Sequence, residues 1–550
     1  MDKKTVLAIV LSLVVIVVYQ IFFMKPPVKQ PQQAKEAQQT TGAVDEKIKP
    51  APAPAVPAQG VPPAASVVSP KASLVAEKAA EVPEKKITVD TPLYTAVFTN
   101  KGGGLASFRL KGYRKAVAKD SDSIELVKVH EGMPAPLSFT FPGSSLDLPL
   151  ASAFEASVSA LDLAKEPDKR QLIFSQTFPG RLKIEKTYVF HPDRFAFDLE
   201  VRAVNLSQEP LSQSAALTWH EYVDPNAETD SYTHEGPVVY VKKDVERPEV
   251  KKMEAQATLG PDVAWGGFET KYFIAAMVPQ NPSLSSILLE KDGTRNMVSV
   301  GMRGAKTVIP PGQAGVFQYT LFLGPKDYSL LKALGVQLEE AIDFGSWMKW
   351  LAMPLLLVLK FFNQYIGNYG LSIILLTIII KIIFWPLGNK SYASMKEMQK
   401  LQPKMQALRE KYKDDKQRLS QETMAMYKAH KINPLGGCLP MVIQIPVFFG
   451  LYKTLLYAIE LRHSPFFGWI QDLSDKDPYY LTPIIMGGTT FLQQKMTPMG
   501  GDPMQQKIML WMPVIFTFLF LNFPAGLVIY WLFNNIISIG QQYYINKRHA

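Results

Sequence analysis

The stretch LSIILLTIIIKIIFWPL, residues 371–387, decides how this 550-residue chain is read. As a helix rising ~1.5 Å per residue it is just long enough to cross the apolar core of a bilayer, yet Lys381 interrupts it near the middle. A charge at that depth costs roughly 2.5–3.5 kcal/mol on insertion scales, so such residues face a protein interior or a watery cavity. The competing reading is snorkelling. Lys381 lies about 13 Å from Lys390 along a helix, and a long side chain recovers part of that depth.

The basic segment after this span orients it. Between Lys390 and Asn433 stand eleven basic residues against five acidic ones, which by the positive-inside rule makes segment 388–434 cytoplasmic. Met395, Met398, Leu401, Met405, Leu408 and Tyr412 form a stripe at helical spacing, and Leu419, Thr423, Met426, Tyr427 and His430 a second one. The segment is therefore expected to be an antiparallel helical hairpin, with Pro403 kinking its first arm. Further apolar stretches at about 440–458, 479–494, 509–522 and 525–544 read as spans, the last two folded into a tight hairpin at NFPAG. The loop at 460–478 is acidic, with Glu460, Asp472, Asp475 and Asp477, which fits the outer side.

The segment WMKWLAMPLLLVLKFF, residues 347–362, is also apolar, but a span there would turn the basic segment outward. It is expected along the outer interface, within a region 326–368, with its Trp side chains at headgroup level. Upstream, residues 87–325 change texture to short alternating runs between turns. The clearest has Phe195, Phe197, Leu199, Val201 and Ala203 on one face and Asp198, Glu200 and Arg202 on the other. Repeated strands of this kind imply a sandwich of antiparallel sheets. Residues 25–86, including APAPAVPAQGVPPAA, hold too few large apolar side chains for a core and read as an extended tether. Residues 1–24 carry Lys3 and Lys4 before an apolar run from Thr5 to Met24, an uncleaved anchor with its basic end inside. The fold expected is thus multi-domain: a polytopic α-helical membrane domain of six spans with a cytoplasmic hairpin, plus an all-β outer domain. Both termini lie inside, in agreement with Lys547 and Arg548.

The charge of +10 is explained by the basic loop and needs no nucleic acid, and the single cysteine, Cys438, excludes an intramolecular disulfide. No metal-ligand spacing, phosphate loop or nucleophile motif appears, so no cofactor, metal or bond-making chemistry is expected. His220 and Glu221 are the one tempting acid–base pair, but neighbours on a strand point to opposite faces and read as ordinary strand residues. The chemistry to explain is in the spans. Thr377 stands one turn from Lys381, and Gln444, Gln493, Gln494, Thr517, Asn522, Tyr530, Asn534, Asn535 and Ser538 come from the others. Each could simply hold helices together; collectively they imply a hydrated concavity open toward the cytoplasm.

The strings GNYGLSIILLTIIIKIIFWPL, LQPKMQALREKYKDDKQRLSQETMAMYKAHKINPLGGCLPMVIQIPVFFGLY, DPYYLTPIIMGG and DPMQQKIMLWMPVIFTFLFLNFPAGLVIYW closely resemble the YidC-type membrane protein insertases, essentially throughout 345–545. The anchor, tether and β region resemble the amino-terminal half of Gram-negative members, without comparably sharp motifs. The resemblance implies a periplasmic β-supersandwich, an inner-membrane location, and a hydrophilic groove open to cytoplasm and lipid with one basic residue inside. Lys381 occupies that position, where the family commonly has Arg; the substitution keeps the charge but loses the rigid guanidinium. Thr377 and Trp531 match positions that meet the substrate helix, and Gln444, Tyr530 and Asn534 join them as the expected groove. The partners implied are nascent membrane proteins, the Sec translocon, the translating ribosome and lipid. Two other classes compete. A proton-coupled carrier would show an acidic relay or internal repeats, and neither is found; a sugar-processing β module would make the β region the active part.

Overall fold

A computed structural model describes residues 83–548 except 143–148, 151, 167, 169, 227–232, 346, 431–438 and 498–502. The expected anchor (1–24), nearly all of the expected tether (25–86), and Cys438 lie outside the described residues.

The alternation that marks the β region is visible strand by strand. In Ala196–Asn205, Phe197, Leu199, Val201 and Ala203 are buried while Arg202 on the other face is exposed. This strand is central to an antiparallel nine-stranded sheet running Asp244–Glu246, Gly236–Val241, Val263–Glu269, Phe273–Pro279, Ala314–Pro325, Ala196–Asn205, Leu182–Phe190, Gln171–Phe178, Glu155–Ala156. A five-stranded sheet of Ser123–Glu125, Gly104–Arg114, Tyr94–Thr99, Lys86–Asp90 and Ala160–Asp162 supplies Phe98 and Phe108, whose rings meet Tyr188, Phe190 and Phe197 of the large sheet. A second five-stranded sheet contains Gln256–Leu259, Ser286–Asp292, Met297–Ile309, Leu211–Tyr222 and Ser138–Thr140.

On Leu211–Tyr222, His220 and Glu221 point to opposite faces and both are buried. The His220 ring lies 2.7 Å from the Ser138 hydroxyl and 2.8 Å from that of Ser299, while Glu221 accepts the Trp219 indole N–H at 2.9 Å. Burial pushes His220 down to about 4 and Glu221 up to about 8. The two share no substrate-facing surface.

Nine α-helices succeed the sheets among the described residues: α1 Tyr328–Ala333, α2 Lys349–Ile366, α3 Tyr369–Lys400, α4 Gln402–Lys411, α5 Lys416–Ala429, α6 Leu439–Tyr457, α7 Leu481–Met496, α8 Pro503–Phe520 and α9 Ala525–Arg548. Asn368 starts α3, its side chain accepting the Leu371 N–H at 3.0 Å. Two boundaries differ from the sequence reading. The span expected to close at 387 runs on unbroken past Pro386 to Lys400, since a proline removes one helical hydrogen bond without necessarily ending the helix. Pro403 does not kink an arm; the chain breaks at Leu401 and Pro403 occupies the first turn of α4, where its missing N–H has no helical partner to lose. Among the described residues, α3 alone has the length and hydropathy to cross a bilayer, with shorter apolar stretches at Val442–Tyr457 and Met509–Phe520.

α9 packs against α3 and α7, α7 against α8, and α2 against α3 and α6. The β region is joined to the helices by charge as well as apolar contact. Lys360 of α2 bridges Asp327 at 2.9 Å and Glu460 at 2.8 Å, and Tyr457 of α6 donates to Asp343 at 3.1 Å. α2 leaves Trp350 and Tyr365 largely exposed on its opposite side.

Candidate functional site

The candidate site grows from the spacing of polar residues along α9. Asn534, Ser538 and Gln541 recur at four and three residues, and Asn535 and Gln542 take the same side one position on, so two adjacent polar stripes run down one side of the helix. All five are buried, and buried amides and hydroxyls need partners.

Those partners come largely from three other helices. Lys381 of α3 donates to the Ser538 hydroxyl at 2.7 Å, and Ser538 donates to the carbonyl of Asn534 at 2.7 Å. The Asn534 side-chain oxygen accepts from Gln444 of α6 at 2.8 Å. Farther along, Gln541 donates to Asn389 at 3.0 Å, and Gln542 donates to the Tyr392 hydroxyl at 2.9 Å and to Thr497 at 3.0 Å. Asn535 turns toward α7 and donates to Thr490 at 2.7 Å. The result is a continuous polar seam from Asn534 to Gln542.

Of the residues singled out from sequence, Lys381, Gln444 and Asn534 are therefore brought into one hydrogen-bonded chain through Ser538. Thr377 is fully buried one turn before Lys381, with its hydroxyl donated back to the Ile373 carbonyl at 2.7 Å, a pattern of short polar side chains inside helices. Tyr530 is buried one turn before Asn534. Trp531 packs among aromatic rings instead of joining the seam: Phe448 at 4.9 Å, Phe520 at 5.2 Å and Phe516 at 6.1 Å between centroids. Trp531 stands three residues before Asn534, so this cluster lies at the end of the seam nearer the start of α9. Gln541, Gln542, Asn389 and Tyr392 are not among the groove residues expected from sequence. The three- and four-residue steps from Asn534 to Gln541 are the signal that locates the first two; Asn389 and Tyr392 become visible only with their partners in place.

Lys381 is partly buried, and among the described residues the Ser538 hydroxyl is its one protein acceptor. An ammonium has three protons to donate. The site thus offers a cation with donor capacity to spare, at the edge of a seam of neutral polar groups. Among the described residues no group of three or more His, Cys, Asp or Glu is arranged to hold a metal.

The comparisons with known proteins agree along the whole chain. A family model described as YidC periplasmic domain matches residues 86–358, and one described as 60Kd inner membrane protein matches 361–550. The membrane protein insertase YidC of Syntrophus aciditrophicus is 65% identical over the full length of both chains. That of Geobacter metallireducens is 41% identical, covering 100% of this chain and 99% of the relative. A crystal structure of an active YidC insertase with its first transmembrane domain resolved is similar at 20% identity, covering 84% of this chain and 93% of that one, with a TM-score of 0.36. On the full-length identity and the two adjoining family matches, the chain belongs to the YidC family of membrane protein insertases.

Proposed function

We propose that this chain lowers the barrier for transmembrane segments of nascent proteins to enter the inner membrane, using the seam around Lys381 as a polar path. In this reading there are six spans with both termini cytoplasmic, the β region is a periplasmic supersandwich, and α4 and α5 form a cytoplasmic hairpin that receives the nascent chain beside the ribosome or the Sec translocon. The relatives' name supplies the activity; the observation that carries the site is Lys381 held by a lone hydroxyl within a run of buried neutral polar groups.

The physics is partition, with no bond made or broken. Transfer of about 20 apolar residues into lipid drives the process, and the difficult part is the polar tail that must cross first. Seam groups such as Gln444, Asn534 and Ser538 replace hydration along part of that path, and Lys381 pairs transiently with an acidic tail. The aromatic cluster around Trp531 limits the path at its far end, so the tail has the least hydrocarbon left to cross there.

The test is reconstitution of the full chain in liposomes, with protease-protected insertion of a single-span substrate carrying an acidic outer tail. Lys381→Ala is expected to lower insertion at least about tenfold toward the empty-liposome baseline, with Lys381→Arg retaining most of it. Insertion indifferent to Lys381 would reduce that residue to a snorkelling lysine; no insertion above baseline for several substrates would overturn the activity.

A further inference from the structure

A cavity of ≈ 400 Å³ lies between the β region and the loop that joins α6 to α7, and it shares no lining residue with the seam. Its volume is in the range of small-molecule sites. Its wall carries both signs of charge, with Lys115, Lys271 and Arg462 set against Asp472 and Asp475. Tyr272, His463, Ser474, Ala116 and Val117 complete it.

Two observations bear on what the cavity would take. Arg462 is held in place through one terminal nitrogen, which donates to the carbonyls of Arg114 at 2.5 Å and Lys115 at 3.2 Å, and its guanidinium lies over the Phe273 ring at 5.6 Å. Its remaining N–H groups have no protein acceptor among the described residues. Tyr272 contributes its ring to the wall, its hydroxyl being buried away from the cavity. Lys271 stacks over the same Tyr272 ring at 4.9 Å, which keeps its ammonium at the wall. These donors suit a phosphate. They do not face it alone: the Asp475 carboxylate is exposed, and Asp472, which accepts the Ser474 N–H at 2.8 Å and hydroxyl at 2.7 Å and lies 3.8 Å from His463, adds a second. A simple anion would be opposed by both.

A ligand that carries a phosphate and a primary ammonium a few bonds apart satisfies both sets. The setting favours a lipid source: Phe467 and Tyr479 of the same outer loop are exposed, and aromatic side chains of this kind sit at membrane headgroup level. We propose that this cavity binds the phosphate–ammonium headgroup of an aminophospholipid, with the phosphate on Arg462 and Lys271 and the ammonium on Asp475 and Asp472. Its placement in the outer leaflet rests on the topology proposed above; the binding itself does not.

The test uses the full-length protein, purified in detergent and stripped of lipid, titrated with short-chain phosphatidylethanolamine, phosphatidylcholine and phosphatidylglycerol and with soluble glycerophosphoethanolamine. Phosphatidylethanolamine is expected to bind about tenfold more tightly than either other lipid, because a quaternary ammonium cannot donate to a carboxylate and a glycerol headgroup carries no cation. Arg462→Gln should weaken that binding about tenfold, and Asp475→Asn should bring phosphatidylethanolamine and phosphatidylglycerol close together. Should Arg462→Gln fail to fold by circular dichroism, Lys271→Gln takes its place. Equal binding of the three lipids, tightest binding of phosphatidylglycerol, or no effect of these substitutions would overturn the site. Binding of glycerophosphoethanolamine as tight as the lipid would overturn the lipid source.

Discussion

In the β region the carboxylate of Glu269 is 1% exposed and is flanked by Arg247 at 2.7 Å and Lys326 at 3.1 Å, whereas in the helical region the buried polar groups along α9 are neutral amides and hydroxyls. Two lysines, one fully and one partly buried, show the contrast most directly. Lys186, in the β region, donates to the carbonyls of Gly102 at 2.7 Å, Leu137 at 2.9 Å and Gly103 at 3.4 Å, filling its donor capacity. Lys381 has only the Ser538 hydroxyl among the described residues. Lys186 has its partners built into the fold while burial pulls it down to about 7, whereas Lys381 keeps donors to spare.

The comparison can be broken most severely in the β region. Glu269→Ala leaves the buried Lys326 without its carboxylate and takes one from half-buried Arg247, which keeps Asp343 at 4.0 Å, and removing one partner of a buried pair costs about 3–5 kcal/mol. The full chain should show this as a much lower midpoint of thermal unfolding, with the effect confined to the β-sheet circular dichroism signal at first melting.

Glu221 gives a pH-dependent counterpart. Burial raises its carboxyl from 4.5 to about 8, so between those values the unfolded chain loses the proton while the native chain keeps it. Stability from this group is fully present below about pH 4.5, falls as pH rises toward 8, and is flat above that. Glu221→Gln keeps an acceptor for the Trp219 indole and removes the titration. The stability of the unsubstituted chain relative to Glu221→Gln should therefore drop between about pH 5 and pH 8; a constant difference would mean that Glu221 is ionised in the native state.

In the seam, individual contacts should matter less. Interhelical hydrogen bonds in membrane proteins average about 0.6 kcal/mol, so Gln444→Leu should lower bundle stability by about 1 kcal/mol or less, read by unfolding in mixed micelles. The smallest expected change in stability is at Lys381→Met, within about 0.5 kcal/mol, because an apolar side chain of similar length removes a desolvated charge that has only one partner. That substitution should nevertheless abolish most insertion of an acidic-tailed substrate. A large loss of stability at Lys381→Met would move the residue from function to structure and erase the contrast with Lys186.

Much of the architecture is legible in the sequence because its signals are local. Alternation in Phe195–Ala203 places a buried face whatever the neighbouring strands are; the stripe after Leu419 survives in α5, while the stripe before Tyr412 is divided between the end of α3 and α4 by the break at Leu401. Proline is harder to read: Pro386 is tolerated within α3, and Pro403 begins a helix instead of bending one, because the outcome depends on packing around the proline and not on the residue alone. At the site, Lys381, Gln444 and Asn534 stand out as polar residues out of place in apolar stretches. Their joining through Ser538, and the pairing of Gln541 with Asn389 and Gln542 with Tyr392, do not.

Residue order alone was enough to locate the apolar stretches, the basic loop, the point where period two replaces period 3.6, and one lysine inside an apolar stretch. It was enough because hydropathy, charge and periodicity are properties of residues within one turn or one strand of each other. The folded chain was needed to pair the polar side chains across α3, α6, α7 and α9, to turn the Thr377 hydroxyl to its own helix, and to leave Lys381 with donors to spare. Those are pairings between residues up to 157 positions apart, and a hydrogen bond of about 3 Å depends on helix rotation and register that no single segment encodes.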